Sequence, residues 1–169
     1  EQVPGLQMII APRHPERFDA VSALLSARGV SFNRRSEGEV QAPRDVILLD
    51  TLGELSQAYS LSWFSFVGAS LVDIGGHNPL EPAAFASPVM MGPYSSNVRD
   101  AVRALGDEGG FFEVGSSREL TAALVSLAED SVLRERSGRA AYRVWQSNLG
   151  AAERVFSHLT LLIGQKIEG

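Results

Sequence analysis

The sequence contains no cysteine among its 169 residues, and this absence excludes several kinds of chemistry. Disulfide bonds, thiolate metal ligands and cysteine nucleophiles are all ruled out. No apolar run approaches the ~18 residues that a membrane-spanning helix requires. The chain has no basic stripe and its net charge is -5, so we expect no nucleic-acid partner. Carboxylates and histidines do not cluster at ligand spacing, so neither a metal site nor a cofactor is predicted.

Short apolar runs alternate with amphipathic segments along the whole chain. This alternation predicts an α/β fold in one domain, a Rossmann-like and mostly parallel sheet with helices on both faces. The strands are predicted at 6–10, 30–33, 46–49, 64–67, 88–91 and 111–114. The helices are predicted at 15–28, 53–61, 79–86, 97–105, 116–128, 132–146 and 151–163. The first should carry Phe18, Val21, Leu24 and Leu25 on its inner face and stop at Gly29. Ser116 with Glu119 forms a capping-box pattern, and Asp130 or Ser131 should cap the helix that follows. A break at 148–150 separates the last two helices, and 34–44 is predicted to be a mobile surface loop.

The stretch 75–82, Gly-Gly-His-Asn-Pro-Leu-Glu-Pro, has the pattern of a loop that ends in a helix N-terminus. Gly75 and Gly76 allow positive φ, Asn78 is a preferred N-cap, and Pro79 suits the first helical position. Unpaired N–H groups at such a start attract anions, and Glu81 in the first turn could accept hydrogen bonds from a diol. The alternative is a capped surface helix whose dipole Glu81 complements.

Polar residues also follow the other strands. Arg13 and His14 come after the first strand, and Asp50 follows the third. Because the carboxyl ends of parallel strands share an edge, we expect these loops to line one rim with 68–81 and 92–97. The alternatives are a surface ion pair for Arg13, a helix-start hydrogen bond for His14, and a helix cap for Asp50 or Thr51. Asn97 is a plausible N-cap of the helix that follows it.

Six motifs together carry a resemblance to a known family. They are Ala-Pro-Arg-His-Pro-Glu-Arg-Phe (11–18), Arg-Arg-Ser (34–36), Asp-Thr-Leu-Gly-Glu-Leu (50–55), Val-Gly-Ala-Ser-Leu (67–71), Gly-Gly-His-Asn-Pro-Leu-Glu-Pro (75–82) and Gly-Pro-Tyr-Ser-Ser-Asn (92–97). In this order and spacing they strongly resemble the 3-deoxy-D-manno-octulosonic acid (Kdo) transferases. The resemblance covers nearly the whole chain.

This resemblance implies one lobe of a two-lobed GT-B glycosyltransferase. The family moves Kdo from CMP-Kdo to the lipid A precursor in lipopolysaccharide biosynthesis, at the cytoplasmic face of the Gram-negative inner membrane. Its C-terminal lobe holds the nucleotide sugar, and its N-terminal lobe holds the acceptor and the general base. Residues 1–169 resemble the C-terminal lobe alone. We therefore expect a soluble fragment that has no catalytic residue of its own, is inactive without the acceptor domain, and could self-associate.

The motifs also imply which residues meet the donor. Arg13 would contact the CMP phosphate or the Kdo carboxylate, Glu81 the ribose, and the 50–54 segment the cytosine or its ribose. The implied donor-binding set is Arg13, His14, Asp50, Thr51, Gly53, Glu54, Gly75, Gly76, His77, Asn78, Glu81 and Asn97.

The chain departs from the family in two places, and other functions stay open. Ala69 stands where many members have glycine. The lobe's first strand, with its Ser-Thr-His loop, has no counterpart, so we expect a gap between strands 6–10 and 64–67 that the neighbours close or a second chain fills.

Another GT-B enzyme that uses a UDP- or GDP-sugar is one alternative, and a non-catalytic interaction or receiver domain is another. A hydrolase using His14 or His77 lacks a nucleophile motif, and His158 is interpreted as structural or exposed.

Overall fold

The chain divides into two compact units, Glu1–Ser62 and Trp63–Gly169, and each is described by itself. The structure, a computed structural model, describes residues 3–38 and 44–167, with side chains described as far as Gly150. The six strands are β1 Met8–Ile10, β2 Phe32–Arg34, β3 Val46–Leu48, β4 Ser65–Phe66, β5 Val89–Met91 and β6 Phe111–Glu113. The six α-helices are α1 Phe18–Ala27, α2 Leu55–Ser60, α3 Leu80–Ala83, α4 Arg99–Glu108, α5 Ser117–Glu129 and α6 Ser131–Ile167. Short 3-10 helices are Pro15–Arg17, Arg35–Glu37 and Ser96–Val98.

The first unit is built on a three-stranded parallel sheet with the order β1-β3-β2. Its central strand β3 is an apolar run, and Val46 and Leu48 are buried. Gly29 follows α1 with a φ of 67°, as predicted for a helix stop. The predicted inner face of this helix is wrong at Leu24, which is half exposed, whereas Leu25 is buried. The helix therefore presents a narrower apolar face than its spacing predicts.

The second unit contains another three-stranded parallel sheet, with the order β4-β5-β6. Central strand β5 is buried along its whole length, as expected for a parallel strand covered on both faces. Its Val89 and Met91 pack in a core cluster with Leu105 of α4 and Val144 of α6. Leu80 and Phe111 lie partly buried against this cluster. Helices α3, α4 and α6 thus pack in one core cluster with the central strand.

The predicted parallel pairing is confirmed, and the strands form two sheets, one in each unit. Each strand predicted from the sequence is present, although most are shorter than predicted because the ladder ends where the flanking residues turn into loops. Within the described residues, β1 pairs only with β3 and β4 pairs only with β5.

Two predicted helix caps are confirmed, and one predicted helix break is wrong. The Ser116 hydroxyl accepts from the Glu119 N–H at 3.2 Å, and the Asp130 carboxylate accepts from the Leu133 N–H at 2.8 Å. No break separates 132–146 from 151–163, because α6 runs continuously from Ser131 to Ile167. The Asn148 amide donates to the Val144 carbonyl at 2.9 Å, so this polar side chain is satisfied without ending the helix. His158 lies outside the residues whose side chains are described.

Glycine allows two close backbone contacts in the second unit. A methyl group at Gly138 of α6 would overlap with the carbonyl oxygen of Ala86, and one at Gly110 would lie 2.6 Å from the backbone nitrogen of Ala141. Backbone atoms cannot move aside as a flexible side chain can. Glycine at these positions therefore sets how closely α6 approaches its neighbours.

We predict that Gly138→Ala lowers the free energy of unfolding by about 1–3 kcal/mol, because the new methyl group has no space. The control is Gly106→Ala in α4, where an added methyl group meets open space. That change should stabilise the protein by up to about 1 kcal/mol, since alanine favours a helix. Urea unfolding of both variants checks this, and equal stability of the two would contradict the packing described above.

Candidate functional site

The glycine loop between β4 and α3 is tied to the loop that follows β5. Gly75 and Gly76 have φ values of 94° and 76°, as the sequence predicted. The Gly75 carbonyl accepts from the Asn97 N–H at 3.1 Å, and the Gly76 N–H donates to the Ala69 carbonyl at 2.7 Å. A methyl group at Gly75 would overlap with the Asn97 side chain. In the second unit, the predicted meeting of 68–81 with 92–97 is therefore confirmed.

Ser70 holds these two loops together, and sequence reasoning missed it. Its buried hydroxyl donates to the Val67 carbonyl at 2.8 Å and accepts from the Gly92 N–H at 2.9 Å. The Ser70 carbonyl accepts from the Tyr94 N–H at 3.0 Å. The only available signal was a small polar residue just past a strand, followed on the next strand by Gly-Pro. This serine acts as an internal hydrogen-bonding bridge.

The helix start at 78–81 differs in detail from its prediction. Helix α3 begins at Leu80, so Pro79 is the N-cap and Asn78 precedes it. The Asn78 side chain still accepts from the Leu80 N–H at 3.0 Å, and the His77 N–H donates to the Gly68 carbonyl at 3.4 Å. Glu81 is exposed and makes no hydrogen bond or ion pair with any described residue. The carboxylate is accordingly available to a ligand from solvent.

Asn97 is not the N-cap that the sequence predicted. It lies inside the 3-10 helix Ser96–Val98, and Val98 is the residue before α4. Its backbone N–H and its side chain both lie against Gly75. The residue contributes to the loop contact rather than to helix capping.

Asp50 occupies the carboxyl end of the central strand of the first unit, where its side chain is only 1% exposed. One carboxylate oxygen accepts from Arg34 Nε and from the Ser36 hydroxyl, both at 2.6 Å. The other accepts from the Ser36 N–H at 2.8 Å. Burial raises the pKa of Asp50, but the hydrogen bonds from Ser36 and Arg34 outweigh it and bring the pKa to about 2, below its usual 3.8. Neither Asp50 nor Thr51 caps α2, which corrects that prediction.

A second ion pair lies next to the first. Arg35 Nη2 donates to the Glu54 carboxylate at 2.8 Å, and the Thr51 hydroxyl donates to the other oxygen of the same carboxylate. The Thr51 hydrogen bond has the largest effect and lowers the pKa of Glu54; burial opposes it, and Arg35 lowers the pKa further, so that it lies below its usual value. Gly53 turns the chain between these groups with a φ of 84°. Residues 34–37 are therefore not the mobile loop that the sequence predicted, while 39–43 lie outside the described residues.

Arg13 and His14 lie exposed between β1 and the first 3-10 helix. His14 makes a helix-start hydrogen bond through its carbonyl, which accepts from the Arg17 N–H at 2.9 Å, and its side chain makes no cap. His14 Nδ1 is 3.7 Å from the Glu16 carboxylate. Since β1, β2 and β3 are parallel, the segments at 13–14, 34–37 and 50–54 share one edge of the first sheet.

Within the described part of the chain, no group of three or more histidine, aspartate or glutamate side chains could hold a metal ion. In those same residues, no helix is both long enough and apolar enough to span a membrane.

Comparison with known proteins identifies the family, although no protein-family model matches the sequence. A 3-deoxy-D-manno-octulosonic acid transferase of Haemophilus influenzae is 42% identical over 158 residues, which cover 92% of this chain and 37% of that protein. The Bordetella pertussis transferase is 36% identical over 161 residues, covering 93% of this chain and 37% of that protein. The crystal structure of the C-terminal CMP-Kdo binding domain of WaaA from Acinetobacter baumannii matches with a TM-score of 0.79 and 34% identity, covering 83% of this chain and 74% of that chain.

The chain belongs to the 3-deoxy-D-manno-octulosonic acid transferase family. The family resemblance carried by the motifs is thus confirmed, and so is the Rossmann-like parallel fold predicted from the alternation of strands and helices. The chain spans 37% of the length of each of these two transferases. It matches most of the WaaA domain, so the similarity lies in a C-terminal GT-B domain of this family.

We predict that Asp50→Asn lowers the free energy of unfolding by about 2 kcal/mol at neutral pH, because the native carboxylate has a depressed pKa. A depressed pKa adds stability that is full above the unfolded value of 3.8 and is lost as the pH falls towards about 2. The difference between the two proteins should therefore shrink across that interval in urea titrations. Asp107→Asn, in an exposed pair with Arg103, is the control and should change stability by less than about 0.5 kcal/mol.

We also predict that Ala69→Gly stabilises the glycine loop. Ala69 has a φ of 60°, which costs an L-residue about 1–2 kcal/mol, while glycine loses up to about 1 kcal/mol more backbone entropy on folding. The net gain is expected to reach about 1 kcal/mol in thermal unfolding. Ala101→Gly, inside α4, should instead cost about 1 kcal/mol. A loss of stability in both variants would show that the Ala69 backbone is unstrained.

Proposed function

We propose that this chain is the donor-binding domain of a Kdo transferase and that it binds the nucleotide part of CMP-Kdo. The observation that carries this proposal is the match to the CMP-Kdo binding domain of WaaA over 83% of the chain. The contacts of the glycine loop support it, because this loop is shaped by positive φ at Gly75 and Gly76 and fixed by Asn97 and Ser70.

The proposed role of each unit follows from its exposed groups. In the second unit, the exposed Glu81 carboxylate can accept hydrogen bonds from the two ribose hydroxyls, with Gly75–Asn78 beside it. In the first unit, Arg13 lies exposed at the strand edge and suits a phosphate or carboxylate. Negative charge grows on the phosphate as CMP departs, and fixed donors of this kind stabilise such a leaving group.

The remaining parts of the reaction belong to the longer protein. We propose that an N-terminal acceptor domain supplies the general base and binds the lipid A precursor, and that the parent protein works at the cytoplasmic face of the bacterial inner membrane in lipopolysaccharide synthesis. The relatives are longer than this chain, which leaves room for such a domain. On this proposal the chain alone binds nucleotide but does not transfer Kdo.

We predict that the chain binds CMP saturably and prefers it to UMP and GMP in calorimetric titrations. Glu81→Ala should weaken CMP binding about tenfold, because the ribose loses a charged acceptor. Gly75→Ala should also weaken CMP binding. The alanine would have to adopt a positive φ, and its methyl group would overlap with the Asn97 side chain.

The control for this titration is Glu129→Ala, an exposed carboxylate at the end of α5, which should leave CMP binding unchanged. A preference for UMP or GMP would assign the domain to another nucleotide-sugar enzyme. The absence of binding by any nucleotide would count against the donor-binding role.

A further inference from the structure

Two consecutive arginines, Arg34 and Arg35, differ sharply in how they are held at the carboxyl edge of the first sheet. Arg34 donates from Nε to Asp50 at 2.6 Å and from Nη1 to Asp19 at 2.8 Å, and its side chain is 26% exposed. The guanidinium therefore joins the buried carboxylate of β3 to the first turn of α1. With both sides of its guanidinium engaged by carboxylates, Arg34 is structural.

Arg35 is held in a different way. Its side chain is 49% exposed, and within the described residues its one side-chain hydrogen bond is the Nη2 contact with Glu54. A guanidinium carries five N–H donors, and no further side-chain hydrogen bond from Arg35 to a described residue is seen. The backbone beneath it is rigid, because the Ser36 N–H and hydroxyl both donate to Asp50. An exposed guanidinium on a fixed backbone is preorganised to bind an anion.

The partner of Arg35 can also release it at low cost. Glu54 keeps a second hydrogen bond, from the Thr51 hydroxyl, and its side chain is one-third exposed. If Arg35 turned to a ligand, the Glu54 carboxylate would remain hydrogen-bonded and hydrated. The buried Asp50 has no such freedom, because removing Arg34 would leave a buried charge short of a partner.

We propose that Arg35 binds an anionic group of the nucleotide sugar, and that Asp50 is a positioning residue that acts through Ser36 and Arg34 without touching the ligand. This inference rests on the proposed donor-binding function and refines it. It also changes the role assigned to Asp50, which the motif resemblance had placed near the base or the ribose. The ligand chemistry is a pair of anionic oxygens, which either the CMP phosphate or the Kdo carboxylate supplies.

The test compares the wild-type chain with Arg35→Gln and Arg35→Lys, using CMP, cytidine and free Kdo as probes in NMR titrations. If Arg35 meets the phosphate, the glutamine variant should bind CMP about tenfold more weakly and cytidine as before. If it meets the carboxylate, the loss should appear with free Kdo instead. The lysine variant, which keeps the charge but not the fork, should lose less in the affected titration.

Arg103→Gln, an exposed arginine of α4, is the control and should match the wild type with every probe. For Asp50, Asn and Glu variants are compared at a temperature where both are folded. A positioning role predicts that Asp50→Asn lowers the preference for the anionic probe over cytidine, and that Asp50→Glu restores part of it.

Unchanged affinity of Arg35→Gln for both CMP and Kdo, while the wild type binds them, would overturn the inference and leave the donor-binding proposal standing. Equal losses for cytidine and CMP in Asp50→Asn would show that Asp50 only supports the fold. A wild-type chain that binds none of the probes would overturn both proposals together.

Discussion

A buried carboxylate at the end of a central strand must be given partners, and this constraint organises the first unit. Asp50 accepts two hydrogen bonds from Ser36 and one from Arg34. These bonds fix the end of β2 and the following 3-10 helix against the end of β3. The contact with Asp19 then extends the network to α1. The free energy of this network comes from hydrogen bonds to a charge that water cannot reach, and these bonds fix the positions of Arg34 and Ser36.

In the described part of the second unit, no buried ion pair holds the loops at the sheet edge. Its loops at the sheet edge are joined by backbone hydrogen bonds and by one buried hydroxyl, that of Ser70. Such contacts require backbones to come close together, and glycine at 75 and 92 removes the side chains that would prevent it. The consequence is a rigid loop whose surface carries few charges of its own. The exposed Glu81 carboxylate lies in the first turn of the helix that follows this loop.

The sequence predicted the existence and order of these elements well, because alternating apolar runs and turn residues are local signals. Gly75 and Gly76 were predicted to allow positive φ, and both adopt it. The role of Asp50 could not be predicted, since its partners Arg34 and Ser36 lie far away in sequence and only strand pairing brings them together. The break at 148–150 was wrong because the local tendency of Asn and Gly to end a helix was outweighed within α6.

Exposure, rather than residue type, separates the groups that hold the protein together from those available to a ligand. Asp50 and Glu81 are both carboxylates beside motif glycines, and the resemblance assigned both to the donor. The Asp50 carboxylate already accepts hydrogen bonds from Arg34 and Ser36, and freeing it for a ligand would break these bonds and leave a buried charge short of partners. The Glu81 carboxylate accepts no hydrogen bond from any described residue, so a diol would need to displace only water from it. The same reasoning separates Arg34 from Arg35, and it limits direct ligand contact to side chains whose partners are solvent or replaceable.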